Sequence, residues 1–145
     1  MNKKDVVISI KGISYADGFD DEDIVELTTI GDLRFSKGKY YLTYNESEVT
    51  GMEGTTTSLE IDGQNQVIMN RRGKNKSQLI IEKGKRHLCQ YGTEYGTMLL
   101  GVTTDSIKST LSNKGGELSF KYSLDVNAAL ASTNEVYIDV KECLK

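Results

Sequence analysis

The sequence predicts an all-β fold, an antiparallel up-and-down β-barrel of about 8–10 strands on the lipocalin scale, with little helix. Three observations predict it. Apolar and polar residues alternate over long stretches, which is the period of a strand with one buried face. Turn signals such as Asp62-Gly63, Arg72-Gly73 and Lys83-Gly84 recur about every ten residues. There are 14 Gly and no Pro, so the reversals depend on Gly, Asn and Asp.

The alternation places the strands near 5–15, 24–35, 39–50, 55–62, 65–72, 77–83, 86–92, 97–107, 117–126 and 130–141. In the first strand the apolar positions change from even to odd at Lys11-Gly12, which predicts a β-bulge there. In the second strand Gly31 is available for a bend. The segment 104–112 fits a strand or a helical turn. Closure of these strands into a barrel would remove the exposed edges that a flat sheet leaves.

The last two strands form the clearest pattern, because both keep their apolar residues at even positions. A hairpin that brings these residues to one face needs a loop with an odd number of residues. We therefore expect a three-residue loop at 127–129. The expected pairs are Val126 with Leu130, Phe120 with Val136 and Leu118 with Ile138.

Length and charge limit the classes of function. The 145 residues predict one barrel domain over 1–145. A formal net charge of −3 argues against a nucleic acid or an anionic membrane as partner, and neither is expected. Lys11 and Gly12 end the apolar run after Met1 early, so we expect no signal peptide there. Cys89 and Cys143 lie far apart in the sequence, which predicts reduced thiols in a cytoplasmic protein.

The stretch 39–61 is the most distinctive, because its apolar stripe becomes acidic. Leu42, Tyr44, Glu46 and Glu48 alternate, so one continuous strand would place both carboxylates at the barrel mouth, about 7 Å apart. A solvated strand end is the alternative. If the carboxylates point inward they need a cation, and Arg71 or Arg72 at the end of strand 65–72 is the nearest candidate by type.

Several motifs resemble one family. They are the run Tyr44-Asn45-Glu46-Ser47-Glu48-Val49-Thr50-Gly51-Met52-Glu53-Gly54-Thr55-Thr56, the pair Arg72-Gly73, the spaced set Tyr91-x-Thr93-x-Tyr95-Gly96, and Tyr122 with the closing hairpin. The chain resembles the YwiB-like family of uncharacterised bacterial proteins along nearly its whole length. This resemblance implies a calycin-like β-barrel and supplies no established activity. Glu94 stands where the family often has Pro.

The leading functional hypothesis is a non-enzymatic cytoplasmic barrel that binds a small, partly apolar ligand in its interior or mouth. Inward tyrosines would give such a cavity apolar walls and hydroxyl donors. An interior volume above about 300 Å³ would favour a ligand over a filled core. The candidate ligand-binding residues are Tyr44, Glu46, Glu48, Arg72, Tyr91, Thr93, Tyr95 and Tyr122. Glu46 or Glu48 would be held by Arg72, or by the hydroxyls of Tyr91 and Thr93.

Three alternatives remain open. A filled barrel would suit a protein-interaction or assembly module. The Glu46 and Glu48 pair has a spacing near that of glycosidase carboxylates, which allows a hydrolase, although no nucleophile or metal set accompanies it. His87 is the single histidine, so a multi-histidine metal site is excluded and a single-histidine haem site is a minor possibility. We expect no catalytic residues, no metal and no cofactor.

Overall fold

The described residues of the computed structural model are 3–16, 22–74, 76–93 and 96–143, and they form a closed barrel. Within these ranges there are ten strands. They are β1 (Lys3–Ala16), β2 (Glu22–Ser36), β3 (Lys39–Asn45), β4 (Thr55–Asp62), β5 (Gln66–Gly73), β6 (Ser77–Glu82), β7 (Arg86–Thr93), β8 (Gly96–Ser109), β9 (Gly115–Val126) and β10 (Ala129–Glu142). A short 3₁₀ helix, Glu48–Thr50, follows β3.

Each strand pairs antiparallel with its neighbour in sequence, and β1 pairs with β10 to close the sheet. The up-and-down barrel with little helix is therefore confirmed. Alternation along the strands explains the closure, since every strand has one apolar face and the barrel buries all of these faces together. Phe120 lies at the centre of the core and is 1% exposed. The segment 104–112, which was ambiguous, is strand as far as Ser109.

The interior has two ends of different character. We call the first the apolar end, because large aliphatic side chains fill it. Its fully buried residues include Val6, Ile8, Leu33, Ile61, Val67, Ile81, Leu118 and Val140. The strands run on to the opposite end, where inward positions carry hydroxyl, amide and charged side chains. We call this the polar end.

A gap in strand pairing lies beside the polar end. Among the described residues, β3 pairs with β2 only from Asp32 to Ser36, whereas β2 pairs with β1 along nearly its full length. The first part of β2 therefore extends past β3. Residues 46–54, which we call the mouth loop, leave β3 and lie against this part of β2. The mouth loop covers the barrel where a strand would otherwise pair.

A second irregularity separates β6 from β7. Ser77 pairs with Tyr91, and no other pair joins these two strands in the described part of the chain. Further along, the backbone N–H of Ile80 donates to the Cys89 Sγ at 3.3 Å. The thiol therefore accepts a backbone hydrogen bond that a carbonyl oxygen of the neighbouring strand would accept in a regular ladder.

The closing hairpin corrects the expected three-residue loop. Val126 pairs with Ala129, so the turn consists of Asn127 and Ala128, which both have positive φ. A register shift between Leu130 and Ser132 then inserts one extra residue. The turn and the bulge together consume an odd number of residues. The expected pairs of Phe120 with Val136 and Leu118 with Ile138 are therefore confirmed, while the pair Val126 with Leu130 is wrong.

The bulge expected at Lys11-Gly12 is also wrong. Pairing between β1 and β10 continues without a shift from Val6 to Ala16, and Gly12 does not have a positive φ. Ile13 and Tyr15 simply lie on the outer face. The Tyr15 hydroxyl donates there to Glu22 at 2.9 Å. The even face stays inward, and Ser14 rather than an apolar residue continues it into the polar end.

Candidate functional site

The polar end is built from two rows of residues that pair directly across neighbouring strands. One row crosses β3 to β7 through Tyr44, Thr57, Arg71, Ser77 and Tyr91. The other crosses β8, β9, β10 and β1 through Thr104, Tyr122, Asn134 and Ser14. Residues paired in register point to the same side of a sheet, so both rows face the interior. The barrel closes these rows into a polar layer.

Glu46 is the acidic member of this layer, and its side chain is 2% exposed. Its backbone N–H donates to the Thr55 carbonyl oxygen at 2.8 Å, which closes the mouth loop at its base. The Thr57 hydroxyl donates to Glu46 Oε2 at 2.5 Å. Arg71 Nε lies 3.8 Å from the same oxygen. The Thr57 hydroxyl thus holds the Glu46 carboxylate inward, and the Arg71 guanidinium compensates its negative charge.

Arg71, rather than Arg72, is the inward cation. Val67 and Met69 are buried on β5, so the next position on that face is Arg71, whereas Arg72 is exposed on the outer face. The assignment of Arg72 to the site is therefore wrong. The period of two explains the error, since neighbouring residues on a strand point to opposite faces. Extending the face of Val67 and Met69 by one step would have identified Arg71.

Glu48 does not accompany Glu46. The strand ends at Asn45, and Glu48 begins the 3₁₀ helix, where it is exposed. Ser47 caps this helix through its side chain, and Gly51 ends it with a φ of 76°. Of the two carboxylates, therefore, Glu46 points inward and Glu48 is solvated, so the placement of both at the mouth on one continuous strand fails at Glu48. Continuous alternation was assumed through a segment that Ser47 and Gly51 turn into a helical cap.

Tyr44 and Tyr122 both line the interior, as expected. Burial raises the pKa of Tyr44, the Glu46 charge raises it further, and Arg71 opposes the rise. Burial also raises the pKa of Tyr122. Both phenols therefore stay neutral at physiological pH and can donate hydrogen bonds. Tyr91 is half-buried on the same inward face of β7 as Cys89.

Two expected site residues have no described side chain. Thr93 ends β7, where its backbone pairs with Gly96, and Tyr95 lies outside the described residues. Residues that the sequence reasoning missed are Thr57, Ser14 and Asn134. Ser14 donates to Asn134 Oδ1 at 2.5 Å. Their signal was available, because each continues the inward face of a strand whose other positions are apolar.

Three buried polar atoms in this region have no hydrogen-bond partner among the described residues: Arg71 Nε, Ser77 Oγ and Thr104 Oγ1. Leaving a buried donor unpaired costs about 1–3 kcal/mol, which makes such atoms rare in folded proteins. All three belong to the two polar rows. The polar end is therefore the part of the interior where some buried polar atoms have no hydrogen-bond partner within the protein.

A cavity of about 210 Å³ lies at the polar end. Tyr44, Glu46, Arg71 and Tyr122 line one part of it, and Thr50 and Met52 of the mouth loop cover it. The apolar part of its lining is formed by Ile10, Leu27, Leu59, Met69, Val136 and Ile138. The volume is below the roughly 300 Å³ that would favour a ligand over a filled core, so the size of the cavity alone does not favour ligand binding. Benzene occupies a cavity of about 150 Å³, so only a small molecule fits.

His87 lies apart from this cavity lining. Its Nε2 is 2.9 Å from Glu82 Oε1, and this contact is the largest cause that lowers the pKa of Glu82. In the described part of the chain no group of three His, Cys, Asp or Glu residues could hold a metal ion. The described residues also include no helix with the length and apolar character needed to cross a membrane.

Comparisons with known proteins agree with this architecture. The family described as Domain of unknown function (DUF1934) matches residues 8–138. The "Uncharacterized beta-barrel protein YwiB" of Bacillus subtilis (strain 168) is 25% identical over 121 residues, which cover 83% of this chain and 82% of that protein. The crystal structure of the ywiB protein from Bacillus subtilis superposes with a TM-score of 0.83 at 22% identity, covering 98% of this chain and 94% of that one. The barrel fold is therefore shared, and the family match over most of the chain shows that this protein belongs to the DUF1934 family.

Proposed function

We propose that this protein is a non-enzymatic, calycin-like binding barrel of the cytoplasm that holds a small, partly apolar ligand at its polar end. One observation carries the proposal: a cavity of about 210 Å³ is lined both by apolar side chains and by Arg71, whose buried Nε–H has no hydrogen-bond partner among the described residues. Binding sites combine such walls with a few placed polar groups. A ligand that accepts from Arg71 would satisfy a donor that the fold leaves unpaired.

The hydrolase alternative loses its geometric support. It required two inward carboxylates, and Glu48 is exposed on the mouth loop. Glu46 by itself accepts from Thr57 and faces Arg71, which is the environment of a structurally held carboxylate. The cytoplasmic part of the proposal is supported by Cys89 and Cys143, which are free thiols.

The other alternative is an interaction or assembly module with a filled barrel. The apolar end favours it, because side chains such as Leu33, Leu118 and Val140 are buried there and leave that half of the interior closely packed. Leu88 and Leu99 are also exposed on the outer face. Ligand binding at the polar end distinguishes the two functions, since a module with a filled barrel has no interior site to occupy.

The test is an NMR titration with benzamide, a small molecule with one amide and one apolar ring. The wild-type protein should show saturable shifts at the amides of the polar end, with a dissociation constant of about 1 mM or below. The variant Gly12→Val should weaken benzamide binding, because its side chain fills part of the cavity. Gly12 lines the cavity, and among the described residues an added Cβ would meet no atom within 4 Å, so the valine side chain begins in open space and extends into the cavity.

The control is Lys11→Val, which adds the same residue at an exposed neighbouring position. Wild type and Lys11→Val should bind alike, and Gly12→Val should bind at least about tenfold more weakly. Equal binding by all three proteins would refute the cavity as the site. Absence of shifts at the polar end in the wild type would favour the filled-barrel module.

A further inference from the structure

We infer that the ligand of the polar end is uncharged and presents a carbonyl-type acceptor on an apolar body, such as a small amide, ester or ketone. This inference rests on the proposed binding function. It deepens that function by naming the chemical class of the ligand. Three features of the site carry it: the unpaired donor, the balance of charge and the apolar wall.

The unpaired donor defines the polar group of the ligand. Arg71 Nε is buried without a hydrogen-bond partner, although Glu46 Oε2 lies 3.8 Å away. That oxygen already accepts a hydrogen bond from the Thr57 hydroxyl, and its distance from Arg71 Nε is too long for a second one. The nearest acid therefore compensates the guanidinium charge and leaves its Nε–H unused. A carbonyl oxygen entering the cavity supplies the acceptor that this donor lacks.

The balance of charge excludes an ionised ligand. Glu46 and Arg71 are the charged side chains buried in the cavity lining, and their charges cancel. Tyr44 and Tyr122 remain neutral donors because burial raises the pKa of each phenol. A carboxylate would bring one unpaired negative charge into a low-dielectric site, and an ammonium would bring one positive charge beside Arg71. Either costs free energy that a neutral group avoids.

At the rim of the cavity, the exposed carboxylate of Asp23 acts in the same direction against anions. Asp23 of β2 and Glu135 of β10 both contribute to its lining. Asp23 is exposed, and Glu135 is engaged by Lys121 at 3.5 Å and by the Tyr137 hydroxyl at 2.5 Å. The apolar part of the lining includes Ile10, Met69 and Val136. The ligand therefore directs its carbonyl toward Arg71 and its apolar body toward this wall.

A matched series tests the ligand class. Benzamide, benzoate and benzylamine have nearly the same shape and differ in charge, being neutral, anionic and cationic at neutral pH. NMR titrations of the wild type should rank benzamide first, with benzoate about tenfold weaker. This ranking needs no variant. Glu46→Gln retains an oxygen for the Thr57 hydroxyl and leaves the Arg71 charge uncompensated, so benzoate should become the tightest of the three.

Glu48→Gln is the control, because it removes the same charge from an exposed position of the mouth loop. Its ranking should match the wild type. Tightest binding of benzoate or benzylamine to the wild type would overturn the uncharged class and leave the proposed site standing. An unchanged ranking in Glu46→Gln would overturn the charge argument. Failure of all three probes to shift the polar end would overturn the proposed function as well.

Discussion

At the scale of single residues, Glu46 and Arg71 decide the character of the interior. Their side chains are 2% and 16% exposed, so both charges are largely removed from water. Isolated buried charges are costly, and removal of one partner leaves the other uncompensated. The fold keeps this pair although a barrel interior of apolar residues would avoid the cost. The proposed binding role would account for a partly satisfied guanidinium at this position.

A double-mutant cycle on Arg71→Met and Glu46→Gln should therefore show strong coupling. We expect a coupling energy of about 1–3 kcal/mol in the free energy of unfolding, because the two buried charges compensate each other. The measurement is urea denaturation of the two single variants and the double variant. Arg72→Met with Glu46→Gln is the control pair, and exposed Arg72 should couple by less than about 0.5 kcal/mol. Equal coupling for both pairs would contradict the inward assignment of Arg71.

Gly31 is a second residue whose identity the fold requires. A Cβ there would contact the Thr43 carbonyl oxygen and would lie 2.6 Å from Ile8 Cδ1. Gly31→Ala should lower the free energy of unfolding by about 1–3 kcal/mol, because neither backbone nor core can move aside freely. Gly12→Ala, which meets no atom within 4 Å, should cost little or nothing. Thermal or urea unfolding compares the two, and equal losses would show that β2 does not approach β3 this closely.

At the scale of elements, alternation predicted the strands well because a closed barrel imposes one buried face along each of them. β4, for example, was expected at 55–62 and is Thr55–Asp62. The method failed where the backbone leaves the strand. The alternation of inward and outward positions continues in the sequence past Asn45, but the Ser47 cap and Gly51 form a helical turn there instead. A register argument has no means of detecting such local hydrogen bonding.

The β9–β10 turn shows the same limit, because face parity could not distinguish a three-residue loop from a two-residue turn with a bulge. Asn127 and Ala128 have φ of 52° and 68°. A turn with two positive φ values prefers Gly at the second position. Ala128→Gly should therefore raise the free energy of unfolding by about 0.5–1 kcal/mol. Ala129→Gly, at a strand position without positive φ, should lower it, and stabilisation by both changes would contradict the turn geometry.

At the scale of the whole molecule, charged contacts join strands around the barrel. Arg86 donates to Asp125 at 2.7 and 3.1 Å, and this pair crosses β8 above Gly101, where a side chain would collide with both groups. Lys4 joins β1 to β10 through Glu142 at 2.7 Å. Arg86 lowers the pKa of Asp125, and Lys4 lowers the pKa of Glu142.

These shifts predict a loss of stability in acid. A carboxyl with a lowered pKa in the folded state contributes stability above its unfolded value, and loses it as the pH falls through the folded value. The ordinary pKa of aspartate is 3.8, so the Arg86–Asp125 contribution should be complete near neutral pH and fade below about pH 4. Urea midpoints of the wild type and Arg86→Gln should therefore differ at pH 7 and converge at low pH. Arg72→Gln removes an equal charge from a residue that forms no ion pair with any described carboxylate, so its difference from the wild type should not change in this way.

The candidate site was predictable in outline and wrong in detail. Four predicted residues face the interior: Tyr44, Glu46, Tyr91 and Tyr122. Each lies an even number of residues from the buried positions of its strand, so it points to the same side. The partner of Glu46 was misassigned by one residue, and the second acid lies on the mouth loop. The cavity could not be predicted from the sequence. Its volume depends on how far β2 extends past β3 and on how the mouth loop covers this unpaired part of β2.

The most direct test of the central claim is a crystal structure of the protein soaked in benzamide. The account predicts the molecule within the polar end, with its carbonyl oxygen about 3 Å from Arg71 Nε and its ring against the wall that includes Met69 and Val136. A Gly12→Val crystal soaked in the same way should show valine methyl groups in that space and no benzamide. An interior that stays empty in the wild type, or benzamide bound only on the outer face, would contradict the claim that the polar end is a binding site.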